Sequence, residues 1–122
     1  MTWALRPATP DDLDELVELR AVVMRPDLER LGRYDEHRVR QRLRDAYQPE
    51  YLQIIEVDGE FAGSITMRPA GDRRWLEHFY LAPHHQGRGL GTAVLRDALD
   101  RADADGATVW LNVLQGSPAR KL

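Results

Sequence analysis

Three glycines alternate with other residues in Gln86-Gly87-Arg88-Gly89-Leu90-Gly91-Thr92, directly after one apolar run and directly before another. Glycines at that spacing let the backbone come close to a ligand, and successive N–H groups opening a helix converge on one point. With the helix dipole behind them, such groups suit a phosphate or pyrophosphate. A tight turn with no ligand fits the same local pattern. The second chemistry-bearing residue is Glu77, four positions before Leu81 in the run Trp75–Leu81. Strand alternation predicts Glu77, Phe79 and Leu81 on one face and His78 on the other. A carboxylate flanked by Leu76 and Phe79 is expected to be poorly solvated, which raises its pKa toward that of a working base. The competing role is an ion pair with an arginine of the neighbouring strand, such as Arg68. His84 and His85 have no metal-like spacing to His37 or His78 and read as solvated loop histidines, so no metal is expected.

A strand and a helix must hold these residues, and the sequence patterns predict both. Trp3–Arg6 reads as a short strand. Thr9-Pro10-Asp11-Asp12 reads as a helix start, with a capping Thr, a Pro at the first position and acids at the positive end of the dipole. Leu13, Leu16, Val17, Val23 and Met24 then repeat at helical spacing, which predicts a helix to about Met24 that stops before Pro26. A looser stretch, Asp27–Tyr34, leads to a second helix at about Glu36–Tyr47. Its apolar stripe is Val39, Leu43, Ala46 and Tyr47, and Arg38, Arg40, Arg42 and Arg44 fall on solvated flanks. Tyr51–Val57 and Phe61–Arg68 are strand-like runs joined by the hairpin signal Asp58-Gly59. Ala70-Gly71-Asp72 turns the chain into Trp75–Leu81. From Leu90 onward Val94, Leu95, Ala98, Leu99 and Ala102 form one helical face, closed by Gly106. Val109–Val113 is a last strand, and Ala119–Leu122 reads as the opening turn of another helix. The order is β-α-α-β-β-β-α-β, a mixed α/β fold with a hairpin-rich sheet.

The chain has 122 residues, the length of one domain, and we expect residues 1–122 to form one. Its net charge of −3 argues against a protein whose main task is neutralising a nucleic-acid backbone. There is no cysteine, which removes thiolate metal sites and cysteine nucleophiles. Only two serines occur, Ser64 and Ser117, and neither lies in a Gly-x-Ser-x-Gly elbow. No apolar run approaches the ~18 residues of a membrane span, and the first residues have no signal-peptide pattern, so the cytoplasm is the expected compartment.

Three phosphate-binding patterns compete for the glycine loop. A Walker loop must end in Gly-Lys-Ser/Thr, and this one ends in Gly89-Leu90-Gly91-Thr92. A dinucleotide fingerprint has another glycine spacing and needs an acid ~20 residues further on, where Leu111 and Asn112 stand. The third pattern, Gln86-x-x-Gly89-x-Gly91 between a strand and a helix, resembles the signature of the GNAT superfamily of acyl-CoA-dependent N-acyltransferases. Phe79-Tyr80-Leu81-Ala82-Pro83 is similar to the strand that precedes it in that family, and Gly116-Ser117-Pro118-Ala119-Arg120-Lys121-Leu122 to a later segment. The capped first helix, the Tyr34-Asp35-Glu36 helix start and the hairpin also fall in the family's order.

The resemblance implies a GNAT-like fold and an acetyltransferase that moves an acetyl group from acetyl-CoA to an amine, small molecule or peptide. Backbone N–H groups of Gln86, Gly87, Arg88, Gly89, Leu90 and Gly91, with the Thr92 hydroxyl, would hold the pyrophosphate. The Arg88 side chain would either add a phosphate contact or stay solvated. Leu81 would pair its backbone with the pantetheine arm, at a point where the family's strands splay, and its N–H would polarise the thioester carbonyl. Glu77 stands where family members often carry a general base. Ser117 stands where an Asn usually contacts the cofactor. The family continues past the segment ending at Leu122 with an aromatic residue, usually a Tyr that protonates the departing thiolate, then a helix and two strands. We therefore expect these C-terminal α/β elements to be missing here. The apolar edge at Val109–Val113 then calls for either a longer natural polypeptide or a second copy, as a homodimer. Two rivals stand beside the enzyme: a weak or inactive CoA-binding module of the same fold, and a nucleic-acid adaptor using the Arg38–Arg44 face.

Overall fold

Four antiparallel strands carry the first part of the sheet: β1 (Trp3–Pro7), β2 (Leu52–Val57), β3 (Glu60–Ala70) and β4 (Arg73–Leu81), paired in that order. The computed structural model describes residues 2–111 and the backbone of Arg120–Lys121. β5 (Thr108–Leu111) joins parallel to β4, and β6 (Arg120–Lys121) lies antiparallel on β5. Three helices cover the two faces: α1 (Leu13–Arg30), entered through a 3-10 turn at Pro10–Asp12, α2 (Glu36–Ala46) and α3 (Leu90–Ala104).

Alternation along β2 sorts the core. Leu52 and Ile54 pack with Leu16 and Val17 of α1 and Leu43 of α2. Ile55 and Val57 pack with Leu76 of β4 and with Leu90, Val94, Ala98 and Ala102 of α3. Helices on both faces thus bury the central strands, as the mixed α/β pattern requires. The Asp58-Gly59 hairpin has positive φ at both residues (51° and 85°), the geometry that two-residue turns need to match strand twist.

Two expectations fail at chain level. α1 does not stop before Pro26 but runs through it to Arg30, so Asp27–Arg30 is helix rather than a looser stretch. Pro26 removes one helical hydrogen bond, to the carbonyl of Val22, and both residues lie on the exposed side where water can take that carbonyl. The helix ends instead at a glycine. Gly32 has φ 67°, its N–H donates to the Glu29 carbonyl, and the Arg33 N–H donates to the Leu28 carbonyl. At the other end of the chain, Arg120–Lys121 forms a strand and not the opening of a helix. Opposite them stand Leu111 and Trp110, whose strand edge offers backbone partners that a single isolated helical turn would lack.

α2 ends one residue earlier than expected. Tyr47 leaves the helix, and its hydroxyl donates to the Thr9 carbonyl at 2.5 Å. Asp35 caps the helix start by accepting the Arg38 N–H at 2.8 Å. Arg40 and Arg44 reach Glu18 and Asp14 of α1, exposed pairs that add little stability but orient α2.

Candidate functional site

The glycine loop opens α3 as the spacing predicts. Pro83–His85 makes a 3-10 turn, and Gly87 and Gly89 take the left-handed backbone with φ 76° and 79°. Gln86 to Gly89 are exposed, whereas Leu90 is buried and anchors the helix against the sheet. Gly89 occupies the capping position and provides no side-chain acceptor, and the first helical return bond is Ala93 N–H to the Gly89 carbonyl. The N–H groups of Leu90, Gly91 and Thr92 therefore lack acceptors within the helix. Gly91 serves a different purpose: a Cβ there would lie 3.3 Å from Leu81 Cδ1, so the missing side chain lets α3 approach the end of β4.

Leu81 turns its backbone away from β3. The Ala82 N–H donates to the Ala62 carbonyl at 2.8 Å, and antiparallel pairs alternate, so the N–H and carbonyl of Leu81 face the other edge of β4. There Gln86 Nε2 donates to the Leu81 carbonyl at 2.9 Å. The Gln86 N–H itself donates to the Pro83 carbonyl at 3.2 Å, so the expected pyrophosphate contact from that N–H is already engaged inside the turn. β4 and β5 pair from Arg73 opposite Thr108 to Leu76 opposite Leu111; among the described residues no strand pairs with that edge of β4 beyond Leu76.

A bulge in β4 changes which side chains share a face. His78 has φ 46°, and the register with β3 shifts between Ser64 and Thr66. Leu76, Phe79 and Leu81 all pack toward α3, although 76 and 79 differ by an odd step. Glu77 is thereby left on the α1 side together with Tyr80. The expected common face of Glu77, Phe79 and Leu81 is wrong, because the extra residue of a bulge inverts the alternation beyond it. His78 is also not opposite Glu77: its ring reaches the Tyr80 hydroxyl on the α1 side.

Around the bulge lies a half-buried polar network beside α1. Ser64 Oγ donates to the His78 carbonyl at 2.8 Å. His78 Nδ1 lies 3.1 Å from the Tyr80 hydroxyl, which accepts from Arg20 Nε at 3.0 Å. Burial lowers the His78 pKa, Glu77 opposes that shift, and Arg20 and Arg68 add to it, so the ring is neutral near neutral pH. Burial likewise raises Tyr80, which stays protonated. Its hydroxyl hydrogen faces two acceptors, the sulfur of Met24 at 3.7 Å and, in the tautomer that carries its proton on Nε2, the stronger acceptor His78 Nδ1. Glu77 Oε1 accepts from Arg68 at 2.6 Å, the partner that strand pairing suggests.

Known proteins share this fold. The pattern of the acetyltransferase (GNAT) family matches residues 13–122. The chain belongs to the GNAT acetyltransferase family. A mycothiol acetyltransferase of Nocardia farcinica is 45% identical over 58 residues, 47% of this chain and 19% of that protein. An uncharacterized N-acetyltransferase of Methanocaldococcus jannaschii is 24% identical over 92% of this chain and 54% of its own length. The chain thus spans about half, or less, of these curated relatives. Among solved structures, the PaiA N-acetyltransferase of Thermoplasma acidophilum in complex with coenzyme A superposes with TM-score 0.72 at 20% identity, over 96% of this chain and 83% of that one. A GNAT acetyltransferase of Brucella melitensis in complex with acetyl-CoA gives 0.66 at 22% identity, over 95% and 79%. These two likenesses establish the fold.

In this GNAT chain the fold brings Leu81, Gln86 and the loop 87–92 together at one end of β4, while Glu77 sits on the α1 side. Ser117 lies outside the described residues. His85 is not solvated, as the sequence suggests, but 7% exposed, with neither ring nitrogen hydrogen-bonded among the described residues. Burial, with His84 and Arg88 beside it, lowers its pKa. Arg20 and Tyr80 are not among the residues that motif and spacing single out. The available signal is Arg20 itself, a charge at helical spacing from Leu16 and Val17 on the apolar face of α1. Among the described residues no cluster of acids and histidines could hold a metal, and no helix is long and apolar enough to cross a membrane.

Proposed function

We propose that this chain is an N-acetyltransferase domain, residues 1–122, that transfers an acetyl group from acetyl-CoA to an amine by direct attack. The observation that carries the reading is the uncapped start of α3, with left-handed Gly87 and Gly89, beside the outward-turned backbone of Leu81. N–H groups at a helix start that have no acceptor within the helix suit a pyrophosphate, and the loop around them bears no side chain at 87 or 89 to obstruct it. Gly87, Arg88, Gly89, Leu90 and Gly91 would present backbone N–H groups, with the Thr92 hydroxyl beside them. Gln86 would keep the Leu81 carbonyl in place, leaving the Leu81 N–H to receive a hydrogen-bond acceptor. Acetyl-CoA supplies an activated acyl carbon. The Leu81 N–H would stabilise negative charge on the acyl oxygen, and Glu77 would take the proton of the attacking amine, while the C–S bond breaks and coenzyme A departs as its thiolate. With no cysteine in the chain, a cysteinyl acyl-enzyme is not available, and holding both reactants together supplies much of the rate.

A second reading is a CoA-binding module without transfer, and the Arg68–Glu77 pair favours it, because it gives Glu77 a purely structural role. Coenzyme-A release from acetyl-CoA in the presence of a mixed amine library separates the two. Binding itself is tested by calorimetry on Gly89→Val, which puts a branched side chain at φ 79° and into the loop. We expect at least about a tenfold loss of acetyl-CoA affinity. Unchanged affinity in a folded variant rejects the loop as the binding site.

A further inference from the structure

Arg20 is 7% exposed in the middle of α1 and, among the described residues, forms no ion pair. A buried guanidinium without a carboxylate is costly, so its contacts are informative. Nη1 donates to the Val39 carbonyl of α2, and Nε donates to the Tyr80 hydroxyl of β4. Tyr80 passes the contact on to His78, whose left-handed backbone is strained for a residue other than glycine. Such strain persists only where surrounding contacts over-determine it. Two contacts do so here: Ser64 Oγ on the His78 carbonyl, and Tyr80 on its ring.

We propose that Arg20 is a positioning residue: through the Tyr80 hydroxyl it fixes the His78 imidazole, and with it the bulge that turns Glu77 onto the α1 face. For Glu77 as base this rests on the acetyltransferase reading; for the bulge it stands alone. The arrangement ties the α1–α2 pair to the residue next to the carboxylate. The charged and titratable groups that face His78 are Arg20 from α1, Arg68 from β3, and Glu77 and Tyr80 on β4 itself.

The test uses the imidazole directly. In the intact protein, His78 nitrogen shifts should report an Nε2–H tautomer, because the Tyr80 hydroxyl occupies Nδ1. Tyr80→Phe removes only that hydroxyl and should give a mixture of tautomers. Arg20→Met keeps the stem, removes the positive charge and should move the His78 titration to higher pH. With an amine that proves to be an acceptor, both variants should lose about tenfold in kcat while acetyl-CoA affinity changes less than about twofold. In a Glu77→Gln background, Arg20→Met should cost little further, since both act through one group. An unchanged tautomer in Tyr80→Phe, or fully additive losses, overturns the proposal. The imidazole spectra need no acceptor: a silent Glu77→Gln beside the expected spectra removes the base and leaves the positioning of the bulge supported. Should Arg20→Met not fold, Tyr80→Phe carries the test alone.

Discussion

Replacing Gly63 with alanine presses on the centre of the site from the other strand. A Cβ built on Gly63 lies 2.0 Å from the Tyr80 carbonyl oxygen, 3.0 Å from its carbonyl carbon and 3.1 Å from Leu81 Cα. Carbon–oxygen contacts in sheets settle at about 3.3 Å, so β3 and β4 must separate locally by roughly 1.3 Å. The neighbouring atoms are backbone in the middle of a sheet, and no rotamer change can relieve the clash. Overpacking costs about 1–3 kcal/mol, and this geometry belongs at the upper end of that range. A loss of about 3 kcal/mol lowers the folded-to-unfolded ratio by roughly 10²-fold and the melting temperature by about 10 °C. The control is Gly71→Ala. Gly71 has φ 68° and no atom within 4 Å of its built Cβ, so only the left-handed backbone is penalised, at about 1 kcal/mol. Urea unfolding of both variants, with acetyl-CoA titration, reads the two effects. Gly63→Ala should also weaken acetyl-CoA binding, because Leu81 moves with the strand, whereas Gly71→Ala should not. A Gly63→Ala protein that costs no more than Gly71→Ala and binds acetyl-CoA unchanged refutes the clash between β3 and β4.

Glu77→Gln should lower turnover by about 10²-fold with little change in acetyl-CoA affinity, most strongly at low pH where the amine is protonated; wild-type rates across about pH 6–9 return Glu77 to its ion pair with Arg68. Hydrogen bonds from Arg6, foremost, hold Asp12 below its ordinary pKa of 3.8. A depressed carboxylate contributes stability that is present above the ordinary value and lost as pH falls through the folded one, so the wild-type urea midpoint should drop below about pH 5. Asp12→Asn should start lower and vary less over that window, and parallel pH profiles for the two proteins count against the assignment. Pro26→Ala should raise stability by at least ~1 kcal/mol, by restoring the N–H that the middle of α1 lacks; an unchanged urea midpoint contradicts the account of that helix.

Local chemistry made much of this protein legible. The α3 face, the Asp58-Gly59 turn and the glycine loop depend on contacts within a few residues, so their signals lie in adjacent letters. Gly87 and Gly89 adopt the left-handed backbone that only glycine takes freely, and Gly32 ends α1 for the same reason. The length of α1 was less legible, because whether Pro26 ends a helix depends on which side of the helix faces water.

The site's orientation was decided elsewhere. Strand periodicity assigns Glu77 to the face of Phe79 and Leu81, and only the bulge at His78 moves it to the other side. The contacts around that bulge come from Ser64 across the sheet and, through Tyr80, from Arg20, sixty residues upstream of Tyr80. Arg120–Lys121 likewise follows β5 rather than its own helical pattern. Side-chain spacing encodes the torsions a residue prefers. A strained torsion or a strand edge is set by partners distant in sequence, whose hydrogen bonds exist only once the chain has closed on itself.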